Sequence, residues 1–125
     1  MDVKKIVREA FPENVIVVSP EAPELRDTYE KLSEEHPPLG YFEIDATKAK
    51  KEELAKYARY LSEYPHLVYV KNFSTTYPEM AKITYDLLCG KLGLFARLAE
   101  GSQVVIHSRG PIPMFMIERA FVISR

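Results

Sequence analysis

Polar and charged residues that could bind or transform a ligand follow the predicted buried strands of this sequence. His107 is a candidate general base near Glu21 or Asp45, and its alternative is a structural histidine held by hydrogen bonds at the sheet end. Ligands of parallel α/β sheets bind beyond the carboxyl ends of the strands, so we expect any ligand site there. The candidate ligand-binding residues are Ser19, Glu21, Asn72, His107 and Arg109.

Two short segments at these strand ends are candidates for binding without catalysis. Lys71 and Asn72 could bind a polar ligand, and the alternative is a solvated strand end that leads into a turn. Arg109 could bind an anion, because Gly110 beside it lets a ligand approach the backbone closely. The alternative for this pair is an ordinary turn before Pro111.

The sequence predicts neither nucleophilic catalysis nor a metal centre. Cys89 is the single cysteine and lies on an apolar helical stripe, which is typical of a core thiol. Ser19 lacks the G-x-S-x-G pattern of a hydrolase nucleophile. His36, His66 and His107 lack metal-ligand spacing. We therefore expect no catalytic residue, no metal and no cofactor.

A second candidate site is an apolar segment near the carboxyl terminus. Four consecutive apolar residues in a short helical turn cannot all face one core, and Met and Phe are enriched at protein interfaces. A segment wedged between two layers and wholly buried is the alternative. The predicted interface residues are Met114, Phe115, Met116, Ile117 and Arg119.

These candidates are positioned by apolar runs that alternate with helical patterns. The alternation predicts an α/β fold with a mainly parallel sheet of about five strands and helices on both faces. An α+β fold with some antiparallel pairs is the alternative. We predict strands over 15–18, 41–45, 67–70, 104–106 and 121–123. We predict helices over 2–11, 24–35, 47–64, 76–90 and 92–100, and one or two helical turns over 113–119.

Composition indicates one globular α/β domain spanning residues 1–125. The chain is 46% hydrophobic and 28% charged, and its formal charge is -1, so a general attraction to nucleic acid is not expected. The densest basic stretch, 48–51, is followed by two glutamates, which favours a solvated helix start. No apolar run approaches the roughly 18 residues of a membrane span, and residues 1–10 lack a signal-peptide core. We expect a soluble cytoplasmic protein with no membrane partner. Few amides and many prolines are typical of a thermophile.

Several local phrases resemble the core of P-loop ATPases of the AAA+ family. The resemblance covers residues 14–125 and implies the strand order 5-1-4-3-2. It places Arg119 at the arginine that reaches a neighbouring subunit. The phosphate-loop strand would correspond to 15–20 and the second strand to YFEIDA at 41–46. The Walker B strand would correspond to LVYVKNF at 67–73 and the sensor-1 strand to QVVIHSR at 103–109. The arginine-finger stretch would correspond to IERAFV at 117–122.

The motifs that bind nucleotide in that family are missing here. Residues 19–24 read SPEAPE in place of G-x-x-x-x-G-K-[ST], so glycines and the phosphate-binding lysine are absent. Lys71 and Asn72 stand where the Walker B acids would be, and a lysine there would repel Mg²⁺. We also expect the family's helical lid to be missing. A flavodoxin-like or Rossmann-like domain would show the same alternation, although G-x-G-x-x-G does not occur.

We therefore predict a non-catalytic protein-interaction domain that forms a homo-oligomer or binds a protein partner. One alternative is a small ligand-binding protein or enzyme that uses the strand-end groups. Another is an accessory nucleic-acid-binding protein. A broad apolar patch would favour the first, a pocket joining Glu21, Asn72 and His107 the second, and a contiguous basic face the third.

Overall fold

A five-stranded, all-parallel sheet forms the centre of the molecule, as the computed structural model describes it for residues 2–124. The strands lie in the order β2-β3-β4-β1-β5. They are β1 (Val15–Val18), β2 (Gly40–Asp45), β3 (His66–Phe73), β4 (Gln103–Ser108) and β5 (Phe121–Ser124). The helices are α1 (Val3–Ala10), α2 (Arg26–Glu35), α3 (Lys51–Glu63), α4 (Pro78–Leu88) and α5 (Met114–Ile117). The predicted fold class and the predicted strand order are both confirmed.

Helices cover both faces of this sheet. On one face Val15, Val17 and Val105 pack with Val7 of α1 and Leu32 of α2. The other face, which includes Ile16, Val68 and Ile106, packs with residues of α3, α4 and α5. The chain moves one way across the sheet through α2 and the opposite way through α3, α4 and α5. This arrangement gives every crossover the same hand.

Two helices begin later than the predicted starts at residues 47 and 76. Thr47 does not cap α3, because the Asp45 carboxylate accepts from its backbone N–H at 2.9 Å and from its hydroxyl at 2.7 Å. That turn delays the helix until Lys51. The helix α4 begins at Pro78, after Tyr77, and not at Thr76.

The predicted helix over residues 92–100 is wrong. This segment is a loop in which Lys91 and Arg97 form an antiparallel bridge and the Leu92 N–H donates to the Ala96 carbonyl at 2.9 Å. Gly90 and Gly93 adopt φ of 77° and 84°, which end α4 and turn the chain. The apolar spacing in this segment therefore belongs to a turn with an exposed tip.

No helix within residues 2–124 is both long enough and apolar enough to cross a membrane.

Candidate functional site

The carboxyl ends of β1, β4 and β3 bring Ser19, His107 and Asn72 together. His107 is fully buried, and its Nδ1 accepts from the backbone N–H of Asn72 at 3.2 Å. Its Nε2 lies 3.0 Å from the carbonyl oxygen of Ser19. Because Nδ1 is an acceptor, this bonding assigns the proton to Nε2, which donates to Ser19.

His107 is therefore a neutral histidine that joins three strand ends. Burial lowers the pKa of His107 below 6.5, and the charges of Arg109 and Lys71 act in the same direction, against the bond to Ser19. Both ring nitrogens already have backbone partners, so neither is free to take a proton from a substrate. This arrangement is that of a structural histidine held by hydrogen bonds at the end of the sheet.

Asn72 holds the end of β3 in an unusual conformation. Its φ is 57°, in the left-handed region that asparagine tolerates better than most residues. Its side-chain Nδ2 donates to the Asp45 carboxylate at 3.2 Å. Burial would raise the pKa of Asp45, but hydrogen bonds from Thr47 and Asn72 and the nearby Lys48 hold it below its usual value. The amide thus ties the end of β3 to the end of β2.

A cleft of about 610 Å³ opens at this end of the sheet, beyond the carboxyl ends of the strands. Asp45, Asn72 and Arg109 line it, whereas Glu21 and His107 do not. Glu21 is exposed on the loop after β1. The structure therefore brings Ser19, Asn72 and His107 into one hydrogen-bonded group but does not join Glu21, Asn72 and His107 in one pocket.

The loop after β1 is held by its own contacts. The Ser19 hydroxyl donates to the Glu21 carbonyl at 2.8 Å, and the buried Tyr69 hydroxyl donates to the Pro23 carbonyl at 2.7 Å. At the next candidate position, Lys71 forms an ion pair of 3.1 Å with Glu43 on β2. These groups therefore bind one another at the carboxyl ends of the strands.

The described part of the chain, residues 2–124, has no group of three His, Cys, Asp or Glu side chains arranged to hold a metal ion.

The apolar segment predicted as an interface is divided between core and solvent. Met116 is 1% exposed and packs in the core with residues of β1 and β4. Met114 is 78% exposed, and Phe115 and Ile117 are also exposed. The Phe115 ring meets Tyr85 of α4 edge-on, with ring centroids 5.0 Å apart. Three of the four side chains of α5 are thus available to another molecule.

Exposed apolar residues continue on the neighbouring edge strand. Val122 is exposed on the same sheet face as α5, whereas Phe121, which is 56% exposed, is in register with Val15 and lies on the opposite face. Arg119, in the short link between α5 and β5, is exposed as well. We define the α5–β5 surface by its five exposed apolar residues, which are Met114, Phe115, Ile117, Phe121 and Val122.

A second apolar feature escaped the sequence analysis. Leu94 and Phe95 stand at the tip of the 91–97 loop, and Phe95 is 98% exposed. The loop borders a groove of about 970 Å³ between α3 and α4. Glycines at 90 and 93 were the available signal, because two glycines so close together favour a turn over a helix.

Comparison with protein-family models gives no match for this sequence, and comparison with curated proteins gives none either. The fold itself defines an α/β protein with a five-stranded parallel sheet and helices on both faces.

Proposed function

We propose that this protein is a non-catalytic interaction domain, an ATPase-like core without nucleotide chemistry that binds another protein chain through the α5–β5 surface. The observation that carries the proposal is the exposure of Met114, Phe115 and Ile117 on a helix whose remaining residue, Met116, anchors it in the core. An apolar surface on a rigid support is typical of protein-binding sites. We further propose a homo-oligomeric, cytoplasmic protein from a thermophile, on its low net charge and its composition.

The strand order supports the likeness to an ATPase core, and the loop after β1 supports the loss of its chemistry. Pro20 and Pro23 provide no N–H donors, and Glu21 and Glu24 would repel phosphate. Lys71 pairs with Glu43 at the position that would otherwise help to hold Mg²⁺. A nucleotide would therefore meet carboxylates where it needs donors.

Two observations favour this proposal over the alternatives. The ring nitrogens of His107 have internal partners, which removes the best candidate base for an enzyme. The basic residues of α1 that border α2 are paired with acids: Lys4 with Asp27 at 2.9 Å and Arg8 with Glu35 at 3.4 Å. Pairing of this kind reduces the positive potential available to nucleic acid.

Light scattering of the purified protein and a double variant tests the interaction proposal. Met114→Ser with Phe115→Ser removes two exposed apolar side chains and leaves the buried Met116 in place. We expect the parent to form an oligomer and this variant to have a lower mass at the same concentration. Leu94→Ser with Phe95→Ser is the matched control, because it removes two comparable side chains from the 91–97 loop, and its mass should equal that of the parent.

The proposal fails if the α5 variant, folded by circular dichroism, assembles like the parent. It also fails if the parent is a monomer that captures no partner protein. A partner protein is one that the immobilised parent retains and the immobilised α5 variant does not. Loss of assembly in the loop variant alone would assign the interface to residues 91–97.

A further inference from the structure

We infer that the partner at the α5–β5 surface is a second copy of this chain, joined by antiparallel pairing of the two β5 strands about a two-fold axis at Ile123. This inference rests on the proposed function and names the partner of the same surface. Such pairing would join two five-stranded sheets into one continuous sheet of ten strands. It is strand addition at an open sheet edge, with two identical edges as partners.

The two edges of the sheet differ in their protection against such pairing. Natural proteins place charges on edge strands to prevent strand addition. The edge strand β2 carries Glu43 and Asp45, and Glu43 is paired with Lys71. The edge strand β5 has the sequence FVIS, with no charged residue. Among residues 2–124, only β1 pairs with β5, so its outer edge is open.

Backbone orientation shows which groups of β5 point outward. The Phe121 N–H donates to the Asn14 carbonyl at 2.8 Å, so Phe121 faces β1. Backbone groups alternate in direction along a strand, so Ile123 also faces β1. The N–H and C=O groups of Val122 and Ser124 therefore point to the open edge.

This alternation selects the register of the pairing. In an antiparallel pair, two opposite residues that face each other exchange both hydrogen bonds. Only an axis at Ile123 pairs both outward residues of β5 with residues of the same strand in the other copy. Val122 then lies opposite Ser124, and Ser124 opposite Val122. Ile123 lies opposite its own copy as a pair without mutual hydrogen bonds.

The exposed side chains supply the remaining area. In register with Val122 are Ile16 of β1 and Ile106 of β4, which pack with Met116, so Val122 lies on the same sheet face as α5. From their exposure, the five residues of the α5–β5 surface offer roughly 500 Å² per copy, with Phe121 on the sheet face opposite to the other four. Complete burial of these residues in two copies would remove about 1,000 Å², the lower limit for a specific interface. A formal charge of -1 opposes self-association only weakly.

Disulfide trapping tests this register. Its control variant carries a more exposed cysteine, which random collisions would cross-link more readily. In a Cys89→Ser background, Ile123→Cys places two thiols at the axis, with Cα atoms about 4.5 Å apart, within disulfide range. Phe121→Cys, four residues from its counterpart along the strand, places its thiols about 14 Å apart. Ile123 is 2% exposed and Phe121 is 56% exposed, so chance encounters favour the control. We expect mild oxidation to give a covalent dimer only with Ile123→Cys.

A second pair of variants tests the edge without a cysteine. Val122→Pro removes an outward N–H and no bond to β1, so the variant should stay folded by circular dichroism but lose the dimer. Val122→Ala keeps the N–H and should retain the dimer. Equal masses for Val122→Pro and the parent, or a covalent dimer formed equally by Phe121→Cys, would overturn the inference.

The outcomes separate this inference from the proposed function. A dimer that dissociates with Met114→Ser and Phe115→Ser but not with Val122→Pro overturns the strand pairing and supports the interaction surface. A monomeric parent overturns the pairing, and the proposed function then depends on whether another protein binds at α5. A dimer that neither set of variants changes overturns both.

Discussion

His107 shows how one residue can bind three strands together and, in doing so, become unavailable for catalysis. Its ring accepts from the Asn72 N–H and donates to the Ser19 carbonyl, so these backbone groups at the strand ends bond to His107 and not to solvent. Asn14 has the same role at the opposite end of the sheet. Its amide accepts from the Val104 N–H at 2.9 Å and donates to the Leu88 carbonyl at 3.2 Å. Gln103 donates to the carbonyls of Val7 and Glu13. The three side-chain amides of this chain, those of Asn14, Asn72 and Gln103, therefore all form hydrogen bonds that hold parts of the fold together.

The buried histidines predict a stability that falls in mild acid. Burial lowers the pKa values of His107 and His66 below 6.5. Below pH 6.5 the unfolded chain therefore binds more protons than the folded chain, so the free energy of unfolding decreases as pH falls from there. Above pH 6.5 this contribution is fully present.

Urea unfolding at pH 7.5 and pH 5.0 measures the effect. His107→Gln should reduce the difference between the two pH values, whereas His36→Gln, at an exposed position, should preserve it. An identical pH dependence for the parent and His107→Gln would show that His107 is not held neutral by the fold.

The strands could be predicted from the sequence because β-branched runs such as 15–18 are buried on both faces of a parallel sheet. Two element-level predictions failed or were incomplete. The apolar spacing at 92–98 fits a helix as well as a turn, and the signal for the turn was the pair of glycines at 90 and 93, which adopt positive φ. A run of four at 114–117 shows that some side chains face outward but not that Met116 faces inward. That choice depends on contacts with β1 and β4, about 100 and 10 residues away along the chain.

The partners of the polar site residues were also beyond sequence reasoning. Parallel strands place Ser19, Asn72 and His107 at the same end of the sheet, and that juxtaposition was expected. The bonds among them join residues separated by 88 and 35 positions. Their directions depend on the bulge in β3 between Val70 and Phe73, which the sequence does not indicate.

The packing of α3 makes a prediction for an element. Leu61 is buried against the sheet, and Leu54 and Ala58 are half-buried on the same side of the helix. Leu61→Asp should lower the free energy of unfolding by about 3 kcal/mol or more, because it places an unpaired charge in the core. Lys56→Asp, on the exposed side, should change it by about 0.5 kcal/mol or less.

Thermal melting followed by circular dichroism compares these two variants with the parent. If both melt like the parent, α3 does not pack on the sheet through the Leu61 side.

At the scale of the whole molecule, the sheet has two edges and two ends with different properties. One end closes on buried hydrogen bonds among Ser19, Asn72 and His107. The β2 edge carries Glu43 and Asp45, whereas β5 has no charged residue and, within residues 2–124, no strand on its outer side. The apolar features that could bind another chain, the α5–β5 surface and the tip of the 91–97 loop, therefore lie away from the end where α/β enzymes bind their substrates.

ATP with Mg²⁺ should leave the melting temperature unchanged. A ligand present at a hundredfold excess over its dissociation constant adds about 2.7 kcal/mol to the free energy of unfolding. The loop at 19–24 provides prolines and carboxylates in place of phosphate donors, so we expect no such gain. A clear upward shift at millimolar ATP, absent with Mg²⁺ alone, would contradict an ATPase-like core without nucleotide chemistry.

The mass in solution tests the interaction domain most directly, measured by light scattering for the parent and for Met114→Ser with Phe115→Ser. We predict a dimer for the parent and a folded monomer for the variant, with the Leu94→Ser and Phe95→Ser control remaining dimeric. Identical masses for the parent and the α5 variant would contradict the assignment of the α5–β5 surface as the site of association.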